Sequence, residues 1–286
     1  MANFNRLQSQ VEDGTLRLIH VEAVPRSVST ALSRALNESG EPSVYVNEPF
    51  NRRRYDIEEA SGNILAATDP ITRTSDRRVT VIAKNMARNL SLGLFRDWME
   101  VTDGVVWSVR DPLIQMGSLV TRIANDLAYE PGADQIGQED LTPKDIQAAS
   151  DFLENGAVSS GFSKTSWADI GEHFRSGYQP EKSVVVDGGN LTVDPTTVLH
   201  GIARRVGLVF DDRMVDGWQS DFVNANTGYT RDDSPMAWTR HAVTSDSITA
   251  IFRPALEVTQ LPPALRAHLT DIAIPTYQEM MATAGL

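Results

Sequence analysis

Leu16-Arg17-Leu18-Ile19-His20-Val21-Glu22-Ala23 runs directly into Val24-Pro25-Arg26-Ser27-Val28-Ser29-Thr30, and the reading of this stretch decides the fold. Residues 16–23 have the β-branched, partly alternating character of a strand. Residues 31–39 read as a helix, with Ala31, Leu32, Ala35 and Leu36 on one face. The loop between them carries one guanidinium and three hydroxyls, and it opens a helix whose first N–H groups have no partner within the helix. Free amides and the helix dipole both favour negative charge, so the loop is an anion site by construction. It is not a Walker A loop, which requires Gly-x-x-x-x-Gly-Lys-[Ser/Thr], because it has neither glycine nor lysine. An ordinary strand–helix turn with Ser29 or Thr30 as N-cap is equally consistent with these residues.

Working outward, a short strand at Ser43–Asn47 ends in Glu48-Pro49-Phe50. The arginine-rich stretch 51–78 reads as loop with room for one helix. A buried strand at 79–83 is followed by Lys84-Asn85, and residues 87–99 fit an amphipathic helix. The strand Gly104–Val109 is followed by Arg110. Asp111 and Pro112 then open a helix over 112–128, as N-cap and first-turn proline. A Pro/Gly/acidic loop spans 129–142, and helices follow at 143–155 and 163–175. A further strand lies at 183–186. Asp194-Pro195 begins a helix through Val206 that Gly207 closes, and a last helix covers 263–283.

Near-continuous apolar strands alternating with helices predict an α/β three-layer sandwich around a mostly parallel central sheet. Ligands of such sheets bind beyond the carboxyl ends of the strands. Four charges stand at those ends: Arg26, Glu48, Lys84 and Arg110. They read as one convergent site, the alternative being that each merely ends its strand.

The chain of 286 residues fits one domain over 1–286 with insertions around 51–75, 126–180 and 220–245. These insertions are the expected walls of a substrate pocket, since loops over a rigid sheet carry specificity. A net charge of −12 argues against nucleic acid or an anionic membrane surface as partner. Any bound anion must be held by local positive charge against that field. With no cysteine there is no disulfide, thiol chemistry or thiolate metal site, and the five histidines show no ligand spacing, so no metal is expected. Residues 1–14 lack the apolar core of a signal peptide, and no run reaches the roughly 18 apolar residues of a membrane span. The expected location is cytoplasmic, with oligomeric state left open, a homodimer included.

Four segments together resemble the sulfotransferase superfamily, whose members move a sulfuryl group from 3′-phosphoadenosine-5′-phosphosulfate (PAPS) to an acceptor. Pro25-Arg26-Ser27-Val28-Ser29-Thr30 is similar to the family's Pro-[Lys/Arg]-Ser-Gly-[Ser/Thr]-[Ser/Thr]. Arg110-Asp111-Pro112, with Ser118 eight residues beyond the arginine, resembles its second motif. Lys84-Asn85 looks like its Lys-[Thr/Asn] strand end. Val184-Val185-Val186-Asp187, Asp194-Pro195 and Val206-Gly207-Leu208 look like its late strand and helix. The resemblance covers residues 16–215.

It implies a P-loop-like topology and a division of labour. Backbone amides of Ser27, Val28, Ser29 and Thr30, with the Ser29 and Thr30 hydroxyls, would hold the 5′-phosphosulfate of PAPS. Arg26 would bridge the 5′-phosphate and the sulfuryl group, with Lys84 beside it. Arg110 and Ser118 would hold the 3′-phosphate, and adenosine 3′,5′-bisphosphate (PAP) would be the product. The acceptor would be a hydroxyl or amine of a small metabolite. Many members place a histidine base where this chain has Met86; others use a glutamate at the second strand end, here Glu48. Glu48 as a structural partner of Arg52, Arg53 or Arg26 is the competing reading. Val28 stands where the family has glycine, a costly choice for a β-branched residue if the loop needs φ > 0. Trp238-Thr239-Arg240-His241 is a candidate for the adenine contact. Other classes of reading are a P-loop-like phosphoryl transferase and a non-catalytic nucleotide-binding module.

Overall fold

The computed structural model describes residues 1–50, 56–128, 140–155, 165–218, 223–224, 247–248 and 257–284. The chain begins with helix α1 (Ala2–Glu12), then β1 (Leu16–Ala23), α2 (Ser29–Asn37), β2 (Ser43–Asn47), α3 (Ile57–Thr72) and β3 (Val79–Met86). A short 3₁₀ turn leads to α4 (Leu92–Glu100), β4 (Gly104–Val109), α5 (Pro112–Leu127), α6 (Pro143–Asn155) and α7 (Trp167–Gly177). Next come β5 (Ser183–Asp187), α8 (Gly188–Val193), α9 (Pro195–Val206) and the two-residue β6 (Val223–Asn224). The last described elements are α10 (Pro263–His268), a π turn (Leu269–Ala273) and α11 (Ile274–Thr283).

The sheet order is β5-β4-β1-β3-β2-β6, and every pair in it is parallel. β4 and β5 are buried throughout, and β1 at all but one position, as a sheet covered on both faces requires. On one face α2 and α9 bury Leu32, Leu36, Leu199, Ile202 and Val206 against Ile19, Val21 and Val106 of the sheet. On the other, α1 and α3 to α7 pack around Leu18, Val81, Val105 and Trp107. Each fully buried aliphatic side chain in these layers contributes about 1.5–3 kcal/mol. The α/β three-layer, parallel-sheet expectation therefore describes the molecule.

The connections after the neighbouring strands β1 and β4 pass to opposite faces, α2 to one and α5 to the other. Such a divergence at the carboxyl edge, here between the loop at 24–28 and Arg110, is the place where sheets of this kind hold ligands.

The stretch 51–78 does hold a helix, the sixteen-residue α3, capped by Asp56 and with Pro70 inside it. Several expectations are corrected. β3 continues through Lys84 and Asn85 to Met86, so Lys84 is a strand residue and not the strand's end. α2 begins at Ser29, and its N-cap position is Val28, so neither Ser29 nor Thr30 caps it. α1 and α8 were not anticipated. Parts of the three expected insertions, together with Arg52, Arg53 and Trp238-Thr239-Arg240-His241, lie outside the described residues. Among the described residues no helix is long and apolar enough to cross a membrane.

The core holds a fully buried polar group. Glu22 Oε2 lies 2.8 Å from His20 Nε2, and Glu22 Oε1 lies 2.6 Å from His173 Nδ1. Trp98 Nε1, which can only donate, is 3.2 Å from His20 Nδ1, so His20 accepts there and donates from Nε2. Burial pushes the Glu22 carboxyl up, but the hydrogen bonds from His173 and His20 outweigh it and hold the group below the usual carboxylate range.

Candidate active site

The loop after β1 is strained at the residues expected to act. Arg26 has φ 66° and Val28 φ 69°, both in the left-handed region, and Glu48 after β2 has φ 51°. A single non-glycine residue there costs about 1–2 kcal/mol, and a β-branched one is an outlier. Such conformations persist where the surroundings over-determine them, and they gather at functional sites. Val28 does adopt the backbone that the family's glycine would favour.

The surroundings are specific. Ser27 is fully buried, and its hydroxyl turns inward to Val24 O at 2.8 Å and Ser108 Oγ at 3.0 Å. From the other side Gly188 presses on the loop: a Cβ there would stand 2.5 Å from the Ser27 carbonyl oxygen. Only glycine permits that approach. Val28 has no acceptor to offer as N-cap, so the first-turn amides of α2 keep no side-chain partner there. The result is a concave row of donors at a helix N-terminus, next to Arg26.

Arg26 is half-buried, and its Nε donates to Ser118 Oγ at 3.0 Å. The loop and α5 therefore touch directly. Arg110, 8% exposed, leaves β4 just before Asp111, whose carboxylate caps α5 by accepting from the amides of Leu113 and Ile114. Arg26 and Ser118 thus join the loop to α5, and Arg110 stands at the end of β4 from which α5 leaves. The resemblance put Ser118 with Arg110 alone, whereas here Ser118 receives the loop arginine.

Lys84, fully buried on β3, reaches Glu48 Oε1 at 2.8 Å and Asn47 Oδ1 at 3.2 Å. Tyr45 Oη also donates to Asn47 Oδ1, at 2.8 Å. The second Glu48 oxygen is 3.5 Å from Asn89 Nδ2. Burial raises the Glu48 carboxyl, but the Lys84 charge and hydrogen bond, with Arg88 and Asn89, pull it below the usual range, so the group is ionised near neutrality. Burial and the Glu48 charge push the Tyr45 phenol well above its usual range. Glu48 thus has an ionic partner in Lys84, a residue not among those considered for it from sequence.

Sequence reasoning missed a neighbouring group. Asp187 Oδ1 accepts from the amides of Gly189 and Asn190, capping α8, while its Oδ2 accepts from Tyr277 Oη at 3.1 Å. Burial, the charge and hydrogen bond of Asp187 and the charge of Asp111 push the Tyr277 phenol well above its usual range, so it remains a hydrogen-bond donor. The Gly188-Gly189 pair directly after a strand was the available signal. Tyr277 gave none, being ninety residues from its partner in sequence. Among the described residues no group of three or more acidic or histidine side chains could hold a metal ion.

No family model matches the chain, and no curated protein matches it. Several solved structures show some similarity, among them the following three. The sulfotransferase domain from the curacin biosynthetic pathway aligns over 90% of this chain and 98% of its own, at 14% identity and a TM-score of 0.43. The sulfotransferase domain from the Synechococcus PCC 7002 olefin synthase aligns over 89% and 94%, at 12% identity and a TM-score of 0.43. Sulfotransferase STF1 from Mycobacterium tuberculosis H37Rv aligns over 74% of each chain, at 14% identity and a TM-score of 0.39.

Proposed function

We propose that this protein is a sulfotransferase that moves a sulfuryl group from PAPS to a hydroxyl or amine of a small metabolite. The observation that carries the reading is the Arg26–Ser118 contact, which joins the anion-binding loop of β1 to the helix that Arg110 opens. Two guanidinium groups beyond the ends of the neighbouring strands β1 and β4, with a helix N-terminus beside one of them, suit a ligand with phosphates at both ends. In an acidic protein, that concentration of positive charge is better explained by a polyanionic ligand than by general surface composition.

Sulfuryl transfer resembles phosphoryl transfer in spreading charge over peripheral oxygens, so the protein's part is positioning and charge stabilisation. The amides of Ser27 to Thr30 and Arg26 hold the 5′ end, and Arg110 holds the 3′-phosphate. Glu48 takes the acceptor's proton as the acceptor oxygen or nitrogen bonds to sulfur. The bond between sulfur and the bridging phosphate oxygen breaks, and Arg26 and Lys84 stabilise the charge left on that phosphate. Lys84 links the two halves of this chemistry. As it turns from Glu48 toward the donor's charge, the carboxylate loses its counter-ion and becomes a stronger base.

The test is incubation with PAPS and pools of small hydroxylated and amino acceptors, following release of the bisphosphate. Acceptor-dependent release supports the reading. Tight magnesium-dependent ATP binding with no affinity for the bisphosphate would contradict it.

A further inference from the structure

Gln115 lies on α5, fully buried, and none of the roles above involves it. Its Nε2 donates to the Pro25 carbonyl at 2.8 Å, and its Oε1 accepts from Trp167 Nε1 at 3.3 Å. Both partners sit next to a strained residue: Pro25 precedes Arg26 at φ 66°, and Trp167 follows Ser166 at φ 63°. One amide therefore bridges two left-handed turns. The Pro25 carbonyl and the Arg26 N–H belong to the same peptide plane. Fixing that carbonyl fixes the plane about which Arg26 takes its positive φ.

Several groups support the loop, and Gln115 acts on a different peptide from Ser108 and Gly188. Ser108 holds the Ser27 hydroxyl and the Val24 amide, and Gly188 closes on the Ser27 carbonyl. Gln115 is the support bonded to the peptide that carries Arg26. One turn along α5, Ser118 receives the Arg26 side chain. Residues 115 and 118 share a helix face, so α5 holds Arg26 by both main chain and side chain. A leucine or methionine would fill the same space without burying a polar amide, which points to the two hydrogen bonds as the reason for glutamine.

We propose that Gln115 is a positioning residue that holds the Arg26 peptide in its left-handed conformation and so shapes the 5′-phosphate half of the donor site. The ligand assignment rests on the sulfotransferase reading; the bracing of the loop does not. The experiment has a ligand-free and a ligand-bound arm. In the first, hydrogen exchange is measured on the wild type and on Gln115→Met, each checked for an intact fold by near-ultraviolet circular dichroism. Faster exchange confined to a peptide covering 24–32 is expected. Unchanged exchange there, or acceleration spread equally over β4 and β5, overturns the proposal. Should Gln115→Met fail to fold, Gln115→Leu also fills the space while removing the donor to Pro25, and the same pattern is expected.

In the second arm, PAP, adenosine 5′-monophosphate and adenosine 3′-monophosphate are titrated into each protein. The variant should lose about tenfold in affinity for the two ligands with a 5′-phosphate, the order expected of one or two neutral hydrogen bonds. Affinity for the 3′-monophosphate should hold. Equal loss for all three would show general slackening and contradict the proposal. Absence of any nucleotide binding by the wild type, with the exchange result intact, would overturn the sulfotransferase reading and leave the brace standing.

Discussion

Lys84 and Glu48, on neighbouring strands or just beyond them, form an ion pair with Nζ 2.8 Å from Oε1, the lysine fully buried and the glutamate side chain 14% exposed. The pair keeps the carboxylate ionised in the free protein and ties its basicity to where the lysine points. Because kcat/KM reports the free enzyme, its acid limb should lie below the ordinary glutamate range, while kcat, reporting the complex, should fall at higher pH. Coincident limbs would show that Lys84 does not leave Glu48 during turnover. If Glu48 is the base, Glu48→Gln should lower kcat by about 10²–10⁴-fold with bisphosphate affinity kept, the amide oxygen still accepting from Lys84 while the proton acceptor is lost.

Val28 offers a test of backbone strain by stability alone. At an ordinary position alanine is more stabilising than glycine by about 0.5–1 kcal/mol. At φ 69° alanine pays a steric penalty of about 1–2 kcal/mol that glycine escapes. Val28→Gly should therefore melt at or above Val28→Ala. The ordinary order would mean that the loop does not hold Val28 in the left-handed region.

Gly188→Ala would place a Cβ 2.5 Å from the Ser27 carbonyl oxygen, so the loop or α8 must move. Overpacking of this kind costs about 1–3 kcal/mol. Here it should also weaken bisphosphate binding, because the displaced atom belongs to the anion loop. Lost stability with unchanged affinity would separate Gly188 from the donor site.

The buried Glu22 makes a pH prediction with a definite sign. Its folded-state value lies below the ordinary 4.5, so its stabilising contribution is fully present above that pH and is lost as pH falls through the folded value. Glu22→Ala, which leaves His20 and His173 without their shared acceptor, should destabilise by about 3–5 kcal/mol. It should also flatten the acid side of the melting curve against pH. A variant with the wild-type acid profile would show that Glu22 is not the group responsible.

Much of the fold was legible because apolar β-branched runs leave few alternatives to strand: β1, β2 and β4 begin and end where their residues suggest. Caps were equally readable, with Asp111 and Asp194 opening helices and Gly207 closing one at φ 73°. A helix within 51–78 was expected, but its bounds were obscured by the arginines flanking it and by Pro70 inside it. Lys84 looked like a strand's end because a lone lysine is rarely buried; Glu48 and Asn47 make its burial tolerable, and neither partner can be assigned from local sequence. The strand ends carried the site's charges. What they could not carry were the long-range pairings, Gln115 with Pro25 and Asp187 with Tyr277, which only the packing of helices against the sheet creates.

On the proposed function, the β1 loop and Arg110 together bind a nucleotide with phosphates at both ends. Calorimetric titration of the folded wild type and of Arg110→Ala with adenosine 3′,5′-bisphosphate tests it most directly. The wild type should bind, and loss of the Arg110 guanidinium should weaken binding by about 1.5–3 kcal/mol, the range of a charge-assisted hydrogen bond. No binding by the wild type, or equal affinity in the variant, would contradict the account.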